Sequence, residues 1–500
     1  MSSPAASALL AIYYLILAVL AFYGIHRLAL VVLYLRTRHR IAVRPADPAE
    51  WPRVTVQLPL YNEMYVAARL IEAVCRLDYP LDRLEIQVLD DSTDETTAIV
   101  AELVADQQRR GFDIQHLHRS DRRGFKAGAL AAGLERAKGD LLAVFDADFV
   151  PQEDFLRVAV PFFADPQLGM VQGSWSHINR AYSLLTRVEA ILLDGHFLIE
   201  HTARHRSGCF FNFNGTAGVW RRQAIETSGG WEHDTLTEDL DLSYRAQLGG
   251  WSFLYLPELA VPSELPVDIN GFKSQQYRWA KGSIQTGRKL LPRILKADLP
   301  FKVKFEAFVH LTNNSSYLLT VLIALLIFPA MILRVGTGVR ALLLIDLPLF
   351  LGATVSVLLF YLTSQVAGGR GWRSALRYLP AVMAVGIGLS INNSRAVLSG
   401  LAHRGGTFHR TPKYRIERRG QDWLSKRYRA GADVSCLVEG ALALYFTATC
   451  IYAWQLGMWM SLPFLYLFVQ GYAYMFLLSV LPILGRGSAA TLPVAPQPQG

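Results

Sequence analysis

Four cysteines, at positions 75, 209, 436 and 450, are all that the 500 residues contain, and none stands in C-x-x-C spacing. That scarcity excludes a disulfide framework and a thiolate zinc site, and leaves four reduced, buried, small apolar residues. Charge is thin as well. Only 18% of residues are charged while 52% are hydrophobic, too apolar a balance for an ordinary soluble protein. Internal repeats are lacking, and the one biased stretch is the proline-rich end, read as a disordered tail over 485–500. The net charge of +9 is not spread along the chain. Nine Lys/Arg (404, 410, 413, 415, 418, 419, 426, 427 and 429) face only Glu417 and Asp422, a local excess of +7. One basic loop therefore explains most of the basic pI. It makes no case for nucleic-acid binding and suits a cytoplasmic loop beside anionic headgroups.

What the chain does have is long apolar runs. Ala8 to Leu35 is interrupted only by His26 and Arg27, is long enough to span a bilayer, and lacks a basic start and a small-residue cleavage site. It reads as an uncleaved anchor rather than a signal peptide. Arg36, Arg38, His39 and Arg40 follow, which places the next segment in the cytoplasm. Further runs lie at about 312–334, 341–365, 377–401, 435–459 and 461–484. The run at 377–401 is broken by Ser390, Asn392, Asn393, Ser394 and Arg395, and spanning there would move the +7 loop outward. It is read as interfacial or re-entrant, which leaves five spans, an outside N-terminus and an inside C-terminus in the inner (plasma) membrane.

Between the first two runs, strand and helix signals alternate, the pattern of an α/β domain with a mostly parallel sheet. Strands are predicted at Val54–Pro59, Leu84–Leu89, Asp113–His118 and from Leu141, with helices at Met64–Arg76, Thr93–Gln108 and Ala127–Ala137. The domains expected are an N-terminal transmembrane helix (1–40), the α/β domain (50–265) and interfacial helices (266–308). A transmembrane region (309–484) carrying the basic loop (402–433) follows.

The apolar stretch Leu141-Leu142-Ala143-Val144-Phe145 ends in Asp146-Ala147-Asp148. Alternation along a strand puts the two carboxylates on one side at its carboxyl end, where ligands sit in open α/β sheets, and paired carboxylates there suit a hard divalent cation. Asp90-Asp91-Ser92 ends another strand and can accept from a base or a ribose, or simply cap a helix. Lys126, between Gly124 and Gly128 before a helix, offers a point charge to phosphate. Asn214-Gly215-Thr216 is polar and glycine-rich enough to line a cleft, though a plain surface loop reads the same. Thr237-Glu238-Asp239 precedes a helix. Gln275-Gln276-Tyr277-Arg278-Trp279 supplies a guanidinium for phosphate and an indole platform for a sugar ring. His196, Glu200, His201 and His205 stand at helical spacing, but the order is E-H-x-x-x-H with no third ligand evident, so they read as a polar helix flank.

In this order D-D-S, D-A-D, T-E-D and Q-x-x-R-W resemble the membrane-embedded family-2 glycosyltransferases, which include bacterial cellulose, hyaluronan and chitin synthases and plant mannan and glucan synthases. The resemblance covers roughly residues 50–300. It implies a GT-A-type, Rossmann-like fold and an inverting, processive β-glycosyltransferase. That enzyme would use UDP-glucose or GDP-mannose to extend a β-1,4-glucan- or mannan-like polysaccharide and move it across the membrane. It further implies that Asp90 and Asp91 hold the nucleoside, that Asp146 faces the nucleotide and that Asp148 ligates Mg²⁺ or Mn²⁺. Lys126, Gln275 and Arg278 would hold the diphosphate. Asp239, with Glu238, would act on the acceptor hydroxyl, and Trp279, Asn214, Gly215 and Thr216 would hold the acceptor. Arg410-Thr411-Pro412-Lys413 resembles a loop that covers the active site in the polysaccharide branch. Partners implied are the donor, the growing glycan, the bilayer and accessory export subunits. Two other readings stand beside this one: a non-processive, ceramide glucosyltransferase-like glycolipid synthase, and a transporter or channel with a nucleotide-binding domain.

Overall fold

Strand β1 (Val54–Leu60) is the centre from which the α/β domain is built in the computed structural model, which describes residues 4–334, 345, 347–408, 410–428, 431 and 433–484. The proline-rich tail at 485–500, Arg429, and residues 341–344 and 346 of one apolar run lie outside the described residues. The strand β1 pairs in parallel with β2 (Leu84–Asp90) on one side and β4 (Leu141–Val144) on the other. The edge strand β3 (Asp113–His118) continues outward from β2. Beyond β4 come β6 (Gly218–Arg221), the one antiparallel strand, then β5 (Leu168–His177) and β7 (Ser252–Ser263), giving the order β3-β2-β1-β4-β6-β5-β7. Both faces of the inner strands are covered, which is why they read as near-continuous apolar runs. On one face Val54, Val56, Ile86 and Val88 pack with Leu70 and Val74 of helix α2 (Ala67–Cys75) and Val100 of α3 (Thr96–Arg109). On the other, Leu142 and Val144 pack with Leu130 of α4 (Phe125–Arg136) and with Trp220.

The order in which strands are added reverses between β1 and β4, because β2 and β3 lie to one side of β1 and the parallel strand β4 to the other. In a sheet of this kind the ligand crevice opens at the carboxyl ends of those two strands. Two helices start later than predicted, α2 at Ala67 rather than Met64 and α3 at Thr96 rather than Thr93. In each case the strand-end residues are taken up by loop hydrogen bonds first: Asn62 donates its backbone N–H to the Ser92 hydroxyl, and Asn62 Oδ1 accepts from Thr93 N–H.

Among the described residues four helices are long and apolar enough to cross a membrane: α1 (Pro4–Thr37), Ser315–Leu333, Ser435–Gln455 and Trp459–Leu481. The 377–401 run is a pair of helices, Trp372–Gly388 and Ser390–Ala402, bent by 42°, which makes a fifth crossing if the pair is one span. In the described part of the 341–365 run the short helix Leu347–Phe350 is followed directly by the apolar helix Leu351–Ala367. Polar residues explain the bend. Ser390 and Asn392 are buried against neighbours: Asn392 donates to the Lys273 carbonyl at 2.9 Å, and the Ser390 and Tyr472 hydroxyls lie 3.1 Å apart. Lys273 belongs to the long helix Ile269–Lys296 and reaches Glu439 at 2.6 Å and Ser479 at 2.9 Å, tying that helix to the last two membrane helices. The Val267–Phe308 segment holds the helix Ile269–Lys296 and the start of the helix Phe301–Thr312, and the first is largely packed inside the protein.

Candidate active site

A cleft opens at the carboxyl edge of β1 and β4. It is lined by Tyr61 and Glu63 after β1, Asp91 after β2, and Asp146 and Asp148 after β4. Strand β4 ends at Val144, so the two carboxylates sit on the turn beyond it rather than on the strand. Both still face the cleft. The Asp146 backbone is fixed by its N–H to the Thr216 hydroxyl at 2.9 Å, and its carboxylate is paired with Lys126. Lys126 also donates to the Gly215 carbonyl at 2.8 Å.

The opposite wall comes from two helices. Helix Glu238–Leu248 starts at the cleft and presents Glu238 and Asp239. Thr237 does not cap it through its side chain, whose hydroxyl instead lies 3.3 Å from that of Thr286. Helix Ile269–Lys296 brings Gln275, Arg278 and Trp279 to the cleft together, since positions i, i+3 and i+4 share a helix face. Gly215 sits in the left-handed region (φ +78°), and a Cβ there would stand 3.1 Å from Asp239 Oδ2 and 3.2 Å from Lys126 Nζ. Only glycine lets the loop pass between these two side chains.

The electrostatics follow from carboxylates crowded into a buried cleft, Glu63, Asp146, Asp148, Glu238 and Asp239 among them. Burial pushes the Asp239 carboxyl up to about 7, Glu238 beside it adds to the rise, and Lys126 opposes it. Burial likewise raises Glu63 to about 7, with Arg410 pulling down and Asp148 pushing up. Asp146 is raised by burial against the pull of Lys126. Burial works against the Lys126 charge, but Asp146 and Glu238 outweigh it and hold that ammonium up. Burial is the first cause of each carboxyl's rise, and a cation bound among these groups would favour their charged forms.

The basic loop closes the cleft from above. Arg410, Thr411 and Lys413 all line it. Lys413 lies 2.8 Å from Asp148 and Arg410 2.9 Å from Glu63. Phe408 stacks on Phe125 at 6.1 Å, and the Arg278 guanidinium lies over the Phe408 ring at 4.3 Å. The loop is clamped by Glu264, whose Oε1 accepts the backbone N–H groups of Tyr414 (2.9 Å) and Ile416 (3.1 Å) while Oε2 accepts from Arg69 (2.9 Å). Arg410 and Lys413 are thus turned toward acidic groups of the α/β domain.

Two sequence expectations need correcting. Asp90 does not line the cleft: on the last residue of β2 its carboxylate points the other way from Asp91, toward His116 (2.9 Å) and His118 (3.2 Å). Thr216 is buried and serves the Asp146 backbone instead of an acceptor. Asp91 does line the cleft, but Arg119 grips both its oxygens, at 2.8 and 2.6 Å. Asn214 reaches the cleft and is held from behind by His196 at 3.0 Å and by His201, which is how those helix histidines are used. Gly124 and Gly128 act locally: Gly124 starts α4 at φ +73°, and a Cβ on Gly128 would meet the Arg123 carbonyl. Tyr61, Glu63 and Glu264 were missed. The first two stand at a strand's carboxyl end, the signal that singled out Asp146. Glu264 carries no local signal. The cysteines are free as expected, with only Cys436 fully buried.

Residues 52–282 match the family described as "Glycosyltransferase like family 2". A probable glucomannan 4-beta-mannosyltransferase 7 of Oryza sativa subsp. japonica is 44% identical over 262 residues, 51% of this chain and 45% of that protein. Glucomannan 4-beta-mannosyltransferase 7 of Arabidopsis thaliana is 39% identical over 300 residues, 57% and 54% of the two chains. The chain thus spans about half the length of the curated relatives it matches. Among solved structures, the mannosyltransferase PcManGT from Pyrobaculum calidifontis in complex with GDP-Man and Mn²⁺ shares the fold. Its TM-score is 0.50 and its identity 23%, covering 75% of this chain and 99% of that one. Over residues 52–282 the chain is thus similar to the glycosyltransferase-like family 2.

Proposed function

We propose that this chain is a membrane-embedded, inverting β-glycosyltransferase that extends a glycan from a nucleotide-sugar donor. GDP-mannose is favoured over UDP-glucose, in line with the mannosyltransferases it resembles. The observation that carries the reading is the meeting of Asp146, Asp148, Asp239, Gln275, Arg278 and Trp279 in one cleft from three separate stretches of chain. The α/β domain and the basic loop lie on the cytoplasmic side of the inner (plasma) membrane, the growing glycan leaves through the membrane helices, and accessory export subunits are further partners.

The donor's diphosphate faces Asp146 and Asp148 with Lys126 and Arg278 at its sides. Asp148, with Asp146 or Glu63, would hold Mg²⁺ or Mn²⁺: the donors are hard oxygens, and Lys413 already places a cation against Asp148. A metal held there would supply positive charge against the departing diphosphate. Asp239 takes the proton of the acceptor hydroxyl as that oxygen bonds to the anomeric carbon and the carbon–phosphate-oxygen bond breaks. A single displacement inverts the centre, so an α-linked donor gives a β-glycoside. A carboxyl near 7 suits a base that must accept a proton at neutral pH. Trp279 and Asn214 hold the acceptor's terminal sugar, and Arg410 and Lys413 exclude water from above. Radiolabelled GDP-mannose, UDP-glucose and UDP-N-acetylglucosamine, offered to purified protein in nanodiscs and followed by linkage analysis, test this reading. Incorporation of no sugar into polymer would overturn it. Product limited to a single sugar on lipid would favour the glycolipid synthase.

A further inference from the structure

We propose that Asp90, His116 and His118 form a second cation site, outside the cleft, for a borderline transition metal of the Zn²⁺ class. His116 and His118 are two apart on β3 and therefore project from the same side of it, and Asp90 is the residue of β2 paired with His118. Asp90 Oδ2, His116 Nε2 and His118 Nδ1 all lie within 4.8 Å of one another, the first two 2.9 Å apart and Asp90 and His118 3.2 Å apart. The same three atoms that now share hydrogen bonds can converge on one ion with a small side-chain adjustment.

Three features go beyond a pair of histidine–carboxylate hydrogen bonds. The Asp90 side chain is fully buried, and its other oxygen, Oδ1, is pinned by the Ser92 N–H at 2.8 Å, the kind of outer support that orients a ligating carboxylate. The strand β3 is the sheet edge, so no further strand covers the histidines. The His118 side chain is 40% exposed, which leaves an entry path and room for water to complete the coordination. Two imidazoles and one carboxylate favour Zn²⁺, Co²⁺ or Ni²⁺ over Mg²⁺, whereas Asp146 and Asp148 offer oxygen alone. The two sites therefore differ in chemistry and can be filled separately. An ion here cross-links the edge strand to β2.

The test uses the full chain in nanodiscs, stripped with chelator and then held in excess Mg²⁺ to occupy the oxygen site. Co²⁺ is the probe. The wild type should take up one equivalent at micromolar concentration with the visible bands of an imidazole-bound ion, release it to Zn²⁺, and melt at a higher temperature when loaded. His118→Gln, at an exposed position that folding tolerates, and His116→Asn should each weaken Co²⁺ binding by about tenfold or more, since even supporting partners of a ligand are worth about 10–100-fold. Asp148→Asn should leave it intact. Unchanged uptake in both histidine variants, or no uptake by the wild type in the presence of Mg²⁺, overturns the proposal. Neither result depends on whether the cleft transfers sugar.

Discussion

The Lys413 ammonium stands 2.8 Å from Oδ2 of Asp148, so the carboxylate proposed to hold a divalent ion has a cation of the basic loop beside it. Lys413 and the metal therefore compete for one carboxylate until the donor's diphosphate supplies further negative charge. Lys413→Gln should tighten Mn²⁺ binding to donor-free protein by about tenfold, each ~1.4 kcal/mol of relieved repulsion being a factor of ten. Electron paramagnetic resonance of free Mn²⁺ measures this, and an unchanged affinity would show that the ion pair does not compete.

Asp148→Asn should abolish transfer, and so should EDTA on the wild type, with activity restored by added Mg²⁺ or Mn²⁺. Wild-type turnover that persists in EDTA would remove the metal from the mechanism.

Asp239→Asn should cut kcat by about 10²–10⁴-fold, the usual worth of a positioned base, while leaving the donor dissociation constant unchanged. The base works only when ionised, and burial puts its carboxyl at about 7. Activity should therefore fall as pH drops through about 7 and level off above it. A kcat/KM profile flat from pH 6 to 8 (about one unit either side of that value) would contradict the assignment.

If the 404–428 stretch gates the cleft, adding a non-hydrolysable donor with Mg²⁺ should protect it from protease. A membrane anchor would respond to anionic lipid only. Identical cleavage with and without donor would dismiss the gate.

Glu264→Ala should loosen the same loop with no ligand present, because the backbone N–H groups of Tyr414 and Ile416 lose their acceptor and Arg69 loses a partner. Each unsatisfied buried group costs about 1–3 kcal/mol. Faster proteolysis within the loop, without a matching change in the melting of the α/β domain, is the expected result. Equal loss of both would mean that Glu264 supports the domain as a whole.

Much of the site was readable because its signals are local. Strand β4 announces itself as an apolar run and its two aspartates follow directly. Q-x-x-R-W needs only helical spacing to bring three side chains to one face. The errors fall where a residue's direction depends on its neighbours. Asp90 and Asp91 are adjacent and chemically identical, yet one serves His116 and His118 and the other lines the cleft. Where a strand stops decides which of the two turns inward, and that is set by the loop hydrogen bonds beyond it. Thr216 looked like an acceptor contact for the same reason. Its hydroxyl is spent on the Asp146 backbone, a partner distant in sequence.

By itself the amino-acid sequence determined the alternation of strand and helix, the apolar segments and the identity of the carboxylates, because periodicity and composition act over a few residues. Only the tertiary structure decided that the basic loop lies over the cleft with Lys413 at Asp148 and Arg410 at Glu63. It alone bent the 377–401 run around buried Ser390 and Asn392, and raised Asp239 to about 7. These outcomes come from burial and from charges brought together across the chain, and neither distance nor desolvation is written in the order of residues.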